Sequence, residues 1–190
     1  AAARVLSASS DSGDAIVRVP WASIQGVPVT DLAASATLTE GGLAVTGLRG
    51  KVLGGDLSGA GQVDLAESGG LTASGRVSLA DGELSGLQSA RGWPENIQLT
   101  GTLAVLSGMQ TSGEALSYGA DVTLGKPGVN SSEFDSGRVL VSGGSSGTRI
   151  ELASLDRGDA HIWAQGDVRG RDSGGPGGMQ VELRVAGVGV

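Results

Sequence analysis

The stretch Leu71-Thr72-Ala73-Ser74-Gly75-Arg76-Val77-Ser78-Leu79 decides the fold of this chain. Its odd-numbered residues are aliphatic, alanine or glycine, and its even-numbered residues are polar. Side chains alternate across a β-strand with a period of two, so the stretch predicts a strand with one apolar and one polar face. Glycine weakens a strand interior, and its place in the apolar row suggests that something passes close to that face. Residues 97–105 and 160–168 repeat the design.

The same alternation recurs along almost the whole chain, with short glycine-rich links and almost no helical periodicity. It predicts an all-β fold, a curved antiparallel meander of about a dozen strands. A sheet of that size must curl or split, so it is either folded over into a groove (β-taco-like) or closed as a sandwich. The predicted strands are residues 15–20, 27–39, 43–48, 51–65, 71–79, 83–87, 97–105, 116–124, 137–142, 148–155, 160–169 and 179–188.

Turns and loops are predicted at the glycine-, proline- and serine-rich positions between these strands. Asp81-Gly82 has the composition of a tight hairpin turn. The segment containing Arg91-Gly92-Trp93-Pro94, residues 89–96, is the clearest interruption and predicts a weak break within a single β domain, residues 1–190. The other predicted links include residues 21–25, 40–42, 67–70, 107–113 and 125–132.

Composition limits the possible functions. The formal net charge of −7, spread along the chain, disfavours nucleic acid as a partner. The absence of cysteine removes disulfides, thiol catalysis and sulfur-ligated metals. No apolar run approaches the roughly 20 residues of a membrane-spanning helix. The chain starts Ala-Ala-Ala-Arg, so we expect it to be a segment of a larger protein.

Several short motifs have the composition of turns rather than of active sites. The Asp-Ser-Gly-Gly-Pro string at 172–176 lacks the histidine and cysteine context of a chymotrypsin-like protease. The Gly-x-Ser-x-Gly pattern at 143–147 is followed by a predicted strand, not by the helix of a nucleophile elbow. Arg157-Gly158-Asp159 resembles an integrin-binding tripeptide but consists of ordinary turn residues. Asn130-Ser131-Ser132 is a formal glycosylation acceptor, which has a meaning only in a eukaryotic secretory protein. The single histidine, His161, lies on a polar face, so we expect no catalytic residue, metal or cofactor, and no enzyme.

The candidate functional residues are therefore the aliphatic residues of the apolar face. This face is either an open groove that binds acyl chains or the dry core of a closed sandwich or barrel, and alternation alone does not distinguish the two. The lipid-contact candidates are Leu53, Leu57, Val63, Leu71, Val77, Leu79, Leu99, Leu103, Val122, Ile162 and Val168.

Residues 27–87 resemble the AsmA-like family of bacterial envelope proteins, the superfamily that includes TamB. The resemblance rests on four segments: Val27-Pro28-Val29-Thr30-Asp31-Leu32, residues 36–43, Gly50-Lys51-Val52-Leu53-Gly54-Gly55-Asp56-Leu57-Ser58-Gly59 and residues 77–84. They repeat a pattern of strand, acidic-glycine turn, strand and Gly-Gly. Residues 136–185, with the step Gly166-Asp167-Val168, look like the closing pattern of the same family.

The resemblance implies a folded-over sheet whose apolar groove carries lipid acyl chains between membranes. It also implies a periplasmic location in the cell envelope and, in most members, an inner-membrane anchor that would lie outside this sequence. We therefore expect a non-enzymatic protein of lipid transport or outer-membrane biogenesis, with phospholipid or other acyl chains and other envelope proteins as partners. The alternative is a structural or secretion-system β module with a dry core and no ligand. That module would be similar to the N subunit of type II secretion or to a surface adhesin repeat.

Overall fold

All the strands that the structure describes lie in one antiparallel sheet. The structure, a computed structural model, describes residues 4–8, 13–39, 41–65, 71–112, 115–169 and 178–187. Strands follow one another across the sheet in chain order, except that the short β9 pairs with β8 alone. The thirteen strands are β1 Arg4–Ala8, β2 Asp14–Ile24, β3 Val27–Thr39, β4 Gly42–Val52, β5 Gly55–Leu65, β6 Leu71–Glu83, β7 Leu99–Ser112, β8 Ala115–Val129, β9 Ser132–Glu133, β10 Ser136–Gly144, β11 Gly147–Arg157, β12 Ala160–Arg169 and β13 Gly178–Ala186.

The register of the strands confirms the all-β antiparallel meander and its two unlike faces. Leu57, Leu79, Val105, Val122 and Val139 lie opposite one another in a single row across β5, β6, β7, β8 and β10. Because facing residues of neighbouring strands share a face, this row defines an apolar face of the sheet. The opposite side is the polar face.

β-Bulges interrupt the ladders at several places. Asp31, Asp81 and Gly101 have φ values of 52°, 54° and 102° at three of the register shifts. A bulge bends its strand and increases the local twist. These bulges therefore mark positions at which the sheet bends, as its number of strands led us to expect.

Several predicted boundaries were wrong. The expected strand 51–65 is two strands, since Leu53 and Gly54 form a two-residue hairpin turn with φ values of 53° and 78°. The loop predicted at 107–113 belongs largely to β7, which continues to Ser112. Most of the loop predicted at 125–132 is the end of β8, and the turn predicted at 21–25 falls instead at Gln25 and Gly26, after β2. The turn predicted at 67–70 lies outside the described residues.

The segment after Asp81 also differs from the prediction. Asp81 is a bulge inside β6, so Asp81-Gly82 makes no hairpin. The strand expected at 83–87 is a 3-10 helix, Leu84–Ser89. Strands β6 and β7 pair directly, so the sheet runs unbroken past the interruption at 89–96.

The 3-10 helix and the residues after it cap one end of the sheet. The backbone N–H of Arg91 donates to the carbonyl oxygen of Gln25 in the β2–β3 turn, at 2.5 Å. The segment 84–91, which we call the cap, thus crosses from β6 to the β2–β3 hairpin. Beneath it lies a cluster of buried leucines, which marks the closed end of the sheet. The cluster is Leu53, Leu79, Leu84 and Leu103.

Candidate functional site

The eleven candidate residues divide into two groups along the strands. Five lie on the apolar face, half-buried and away from the cap: Leu57, Val63, Val77, Ile162 and Val168. Five belong to the closed end, where Leu53, Leu79 and Leu103 are buried and Leu99 and Val122 pack against them. The side chain of Leu71, the remaining candidate, lies outside the described residues.

On the central strands β4, β7 and β8, exposure on the apolar face rises from the closed end to the opposite, open end. Leu103 is 5% exposed in the buried cluster, whereas Leu43, Leu116 and Met109 near the open end are 37%, 38% and 51% exposed. Along β8 the row of apolar-face residues runs from Leu116 at the open end to Leu124, which packs against the cluster. On these strands the apolar face is therefore dry at the closed end only. Towards the edges of the sheet the trend is lost: Ala36 of β3, near the open end, is 8% exposed, and Val185 of β13, at the closed end, is 53% exposed.

No second layer of structure covers the rest of this face among the described residues. Not one side chain there has less than 2% exposure. A sandwich of this size would hold many fully buried aliphatic residues, because interiors pack at the density of organic crystals. The closed sandwich of the prediction therefore does not fit the described residues, in which the apolar face is open on one side.

Tyr118 forms part of the apolar face near the open end. A Cβ atom added to Gly143 would lie 2.6 Å from the Cζ atom of Tyr118, so the ring lies over this glycine. The hydroxyl group of Tyr118 reaches the Oγ1 atom of Thr148 on β11. One side chain of β8 thus crosses β10 and ties three strands together.

The sequence missed part of this surface. Met109 fell in a predicted loop and was not considered, although it continues the alternation of β7. Val45 and Leu116 also project from this face, near the open ends of β4 and β8, and both lie in predicted strands but were not among the lipid-contact candidates. Their apolar-polar alternation was present in the sequence and could have identified them.

The polar face carries ion pairs between residues of the same or neighbouring strands. Arg138 donates two hydrogen bonds to the carboxylate of Asp121, at 2.9 and 2.6 Å. The hydrogen bonds from Arg138 lower the pKa of Asp121. Similarly, His161 Nδ1 lies 2.7 Å from Asp156 Oδ1 and lowers the pKa of that carboxyl group. These pairs explain His161 as a surface residue of the polar face, as predicted.

A concavity of about 850 Å³ opens on the polar face over β4 to β8. Its walls are two rows of polar-face residues that flank the row of Val45, Gly61, Gly75, Met109 and Tyr118. No residue from the next apolar-face rows contributes to it, which places the opening on the polar side. A twisted sheet is concave along one diagonal of each face, so both faces can be recessed. The flanking rows are Ala44, Gln62, Ser74, Gln110 and Ser117, and Thr46, Ala60, Arg76, Gly108 and Gly119.

The motifs set aside in the sequence are turns wherever the structure describes them. Ser145 and Ser146 connect β10 to β11, and Gly158 and Asp159 connect β11 to β12. Asn130, with a φ value of 55°, lies in the two-residue turn before β9. The string at 172–176 lies outside the described residues.

In the described part of the chain, histidine and carboxylate side chains form no group of three or more that could hold a metal ion. No helix in the same part combines the length and apolar character needed to cross a membrane.

Comparisons of the chain with protein-family models, with curated proteins and with solved structures find no match.

Proposed function

We propose that this chain is a non-enzymatic lipid-binding protein that holds acyl chains against the apolar face of its sheet. The observation that carries the proposal is the gradient of exposure on that face. When half-exposed aliphatic side chains are covered by a ligand, the free energy falls because apolar surface leaves water. Exposed apolar surfaces larger than a few hundred Å² mark interaction sites in soluble proteins.

The geometry of the face suits an elongated apolar ligand. On β8 the apolar row extends over nine residues from Leu116 to Leu124, whose eight steps span roughly 26 Å at about 3.3 Å per residue. Each methylene group of an acyl chain that is buried on this face contributes about 0.8 kcal/mol to the free energy of binding. The contact residues would be aliphatic or thioether side chains without charge: Leu43, Val45, Leu57, Val63, Val77, Met109 and Leu116.

The AsmA-like resemblance supports the same proposal and adds its setting. Members of that family lie in the bacterial envelope, so we propose a periplasmic location, phospholipid as the source of the acyl chains, and contact with other envelope proteins. Fractionation of the host cell tests the location, since recovery of the chain with the cytosolic fraction would contradict it.

The competing proposal is a structural module whose apolar face is dry. The closed end of the sheet fits this description, because the buried cluster of Leu53, Leu79, Leu84 and Leu103 lies there. Val19, Val29 and Ala36 of β2 and β3 are buried as well. A module without a ligand leaves the exposed residues near the open end without a role.

Substitution of an apolar-face residue by aspartate tests lipid binding, with its neighbour on the polar face as control. Val45→Asp places a carboxylate on the half-buried apolar row, whereas Thr46→Asp changes the charge equally on an exposed residue. We expect V45D to weaken binding of a fluorescent long-chain fatty acid by at least about tenfold, because burial of an unpaired charge is costly. T46D should bind as the parent chain does.

The pair M109D and Q110D repeats the comparison on β7, where both parent residues are exposed and folding is least at risk. Native mass spectrometry of the chain after incubation with phospholipid vesicles provides a second measurement. Equal binding by all four variants, or no bound lipid in the parent chain, would show that the face does not hold acyl chains.

A further inference from the structure

The edge strand β13 is exposed along its described length. Among the residues that the structure describes, it pairs with β12 alone, in nine consecutive residue pairs without a register shift. Residues 181–187 are all exposed, with Leu183 at 64% and Val185 at 53%. An edge strand presents unpaired backbone N–H and C=O groups to any strand that approaches it. The sequence of β13 contains neither proline nor lysine, two of the devices that block such pairing.

The side chains of β13 complement a second copy of the same strand. Two antiparallel copies related by a two-fold axis at Leu183 place Leu183 opposite Leu183 and Val181 opposite Val185. On the polar face the same register places Glu182 opposite Arg184 twice. Opposite charges and aliphatic residues in facing positions both stabilise antiparallel strands. A two-fold contact of this kind is self-complementary, as in most homodimers.

The neighbouring registers are unfavourable. An axis at Glu182 would place two glutamates opposite each other, and an axis at Arg184 would do the same with two arginines. Registers shifted by one residue would place polar side chains on the apolar face. The axis at Leu183 is therefore the register that the charges of β13 select.

We propose that two copies of this chain pair through β13 in that register. The two-fold axis stands perpendicular to the sheet, so the apolar faces of both copies lie on the same side of one continuous sheet. The opposite edge is a poorer choice, because β1 has five residues and its pairing with β2 contains a register shift. This inference requires no ligand and is independent of the proposed lipid binding.

Charge reversal on β13 tests the proposal through the oligomeric state. Sedimentation velocity of the parent chain should show a dimer of twice the 18.7 kDa chain mass. E182R and R184E each place like charges in both facing pairs, so each should weaken the dimer by at least about tenfold. An equimolar mixture of the two variants should restore a dimer, since every facing pair in the mixed species then joins opposite charges.

The mixture separates pairing between chains from effects within one chain. Arg184 also donates to Glu182 of the same strand, at 2.7 Å, and each variant loses this contact whether or not it is mixed. A parent chain that remains monomeric, variants that dimerise as well as the parent, or a mixture that fails to associate would each overturn the proposal.

Cysteine crosslinking tests the register, because the chain has no cysteine of its own. Under mild oxidation L183C should form a covalent dimer, since facing residues lie about 4.5–5.5 Å apart at Cβ. V181C is the matched control, because its two copies would lie roughly 13 Å apart along the strands. Equal crosslinking of the two variants would overturn the register.

Discussion

The glycines on the apolar face accommodate neighbouring parts of the sheet itself. A Cβ atom added to Gly59 would lie 2.8 Å from the carbonyl oxygen of Arg76 and 3.1 Å from a methyl group of Leu48. One added to Gly137 would lie 2.9 Å from both the carbonyl oxygen of Ser154 and a methyl group of Leu155. The sequence suggested a close approach to this face, and at these positions the neighbouring strand makes it. Glycine here permits curvature and tight packing of strands.

Gly166 offers the sharpest test of this role. It lacks a positive φ, and an added Cβ atom would overlap the carbonyl oxygen of Gln180 on β13. We expect G166A to lower the free energy of unfolding by about 1–3 kcal/mol, since β12 and β13 must move apart. Urea denaturation followed by circular dichroism measures the change.

The matched control is Gly178, in the strand that Gly166 faces. An added Cβ atom at Gly178 has no atom within 4 Å, so G178A should change stability by less than about 0.5 kcal/mol. Equal effects of the two substitutions would mean that steric overlap is not the reason for glycine at position 166.

Among the elements, the cap determines which part of the apolar face is dry. Leu84 is its buried residue, 6% exposed, and it joins β-strand residues Leu79 and Leu103 in one cluster. We expect Leu84→Ala to destabilise the fold by about 2 kcal/mol, because the loss of burial and the cavity left behind add together. Chemical denaturation measures the difference.

Leu106→Ala is the control for that substitution. Leu106 is 59% exposed on the polar face of β7, so its truncation should cost less than about 0.5 kcal/mol. If L84A were as stable as L106A, the cap would contribute no packing to the closed end.

The strands could be predicted where apolar and polar residues alternate without interruption. The turns could be predicted where glycine or aspartate occupies the turn positions. Leu32, Ala34, Ala36 and Leu38 share a face in β3, as expected. The turn at Leu53 was missed because leucine rarely adopts the left-handed conformation and its aliphatic side chain continued the apolar pattern.

The sequence predicted which residues share the apolar face, but it did not predict which of them are exposed. Leu79 and Val77 have the same alternation, yet Leu79 is buried beneath the cap and Val77 is half-exposed. What separates them is the path of residues 84–91, which has no periodic pattern in the sequence. Burial at this sheet depends on a segment folded across it, and local alternation carries no information about that segment.

At the scale of the molecule, tertiary contacts connect mainly neighbouring strands, and the cap adds contacts to β3, β6 and β7. The stability of such an array comes mainly from contacts between neighbouring strands, and not from one core that all strands share. We expect native-state hydrogen exchange of β7 amides to be at least about tenfold slower than that of β11 amides, which lie away from the buried cluster. Exchange rates that were uniform across the sheet would indicate a single cooperative unit.

The cap also makes the two ends of the apolar face functionally unequal. Near Leu103 the cap covers the apolar face, whereas near Leu116 the face is exposed to water. Because no second layer covers the face beyond the cap, an elongated ligand would be stopped by the cap at one end and could leave the face sideways or at the open end. A single copy would then exchange a bound ligand with its surroundings and would not conduct it from one end of the sheet to the other.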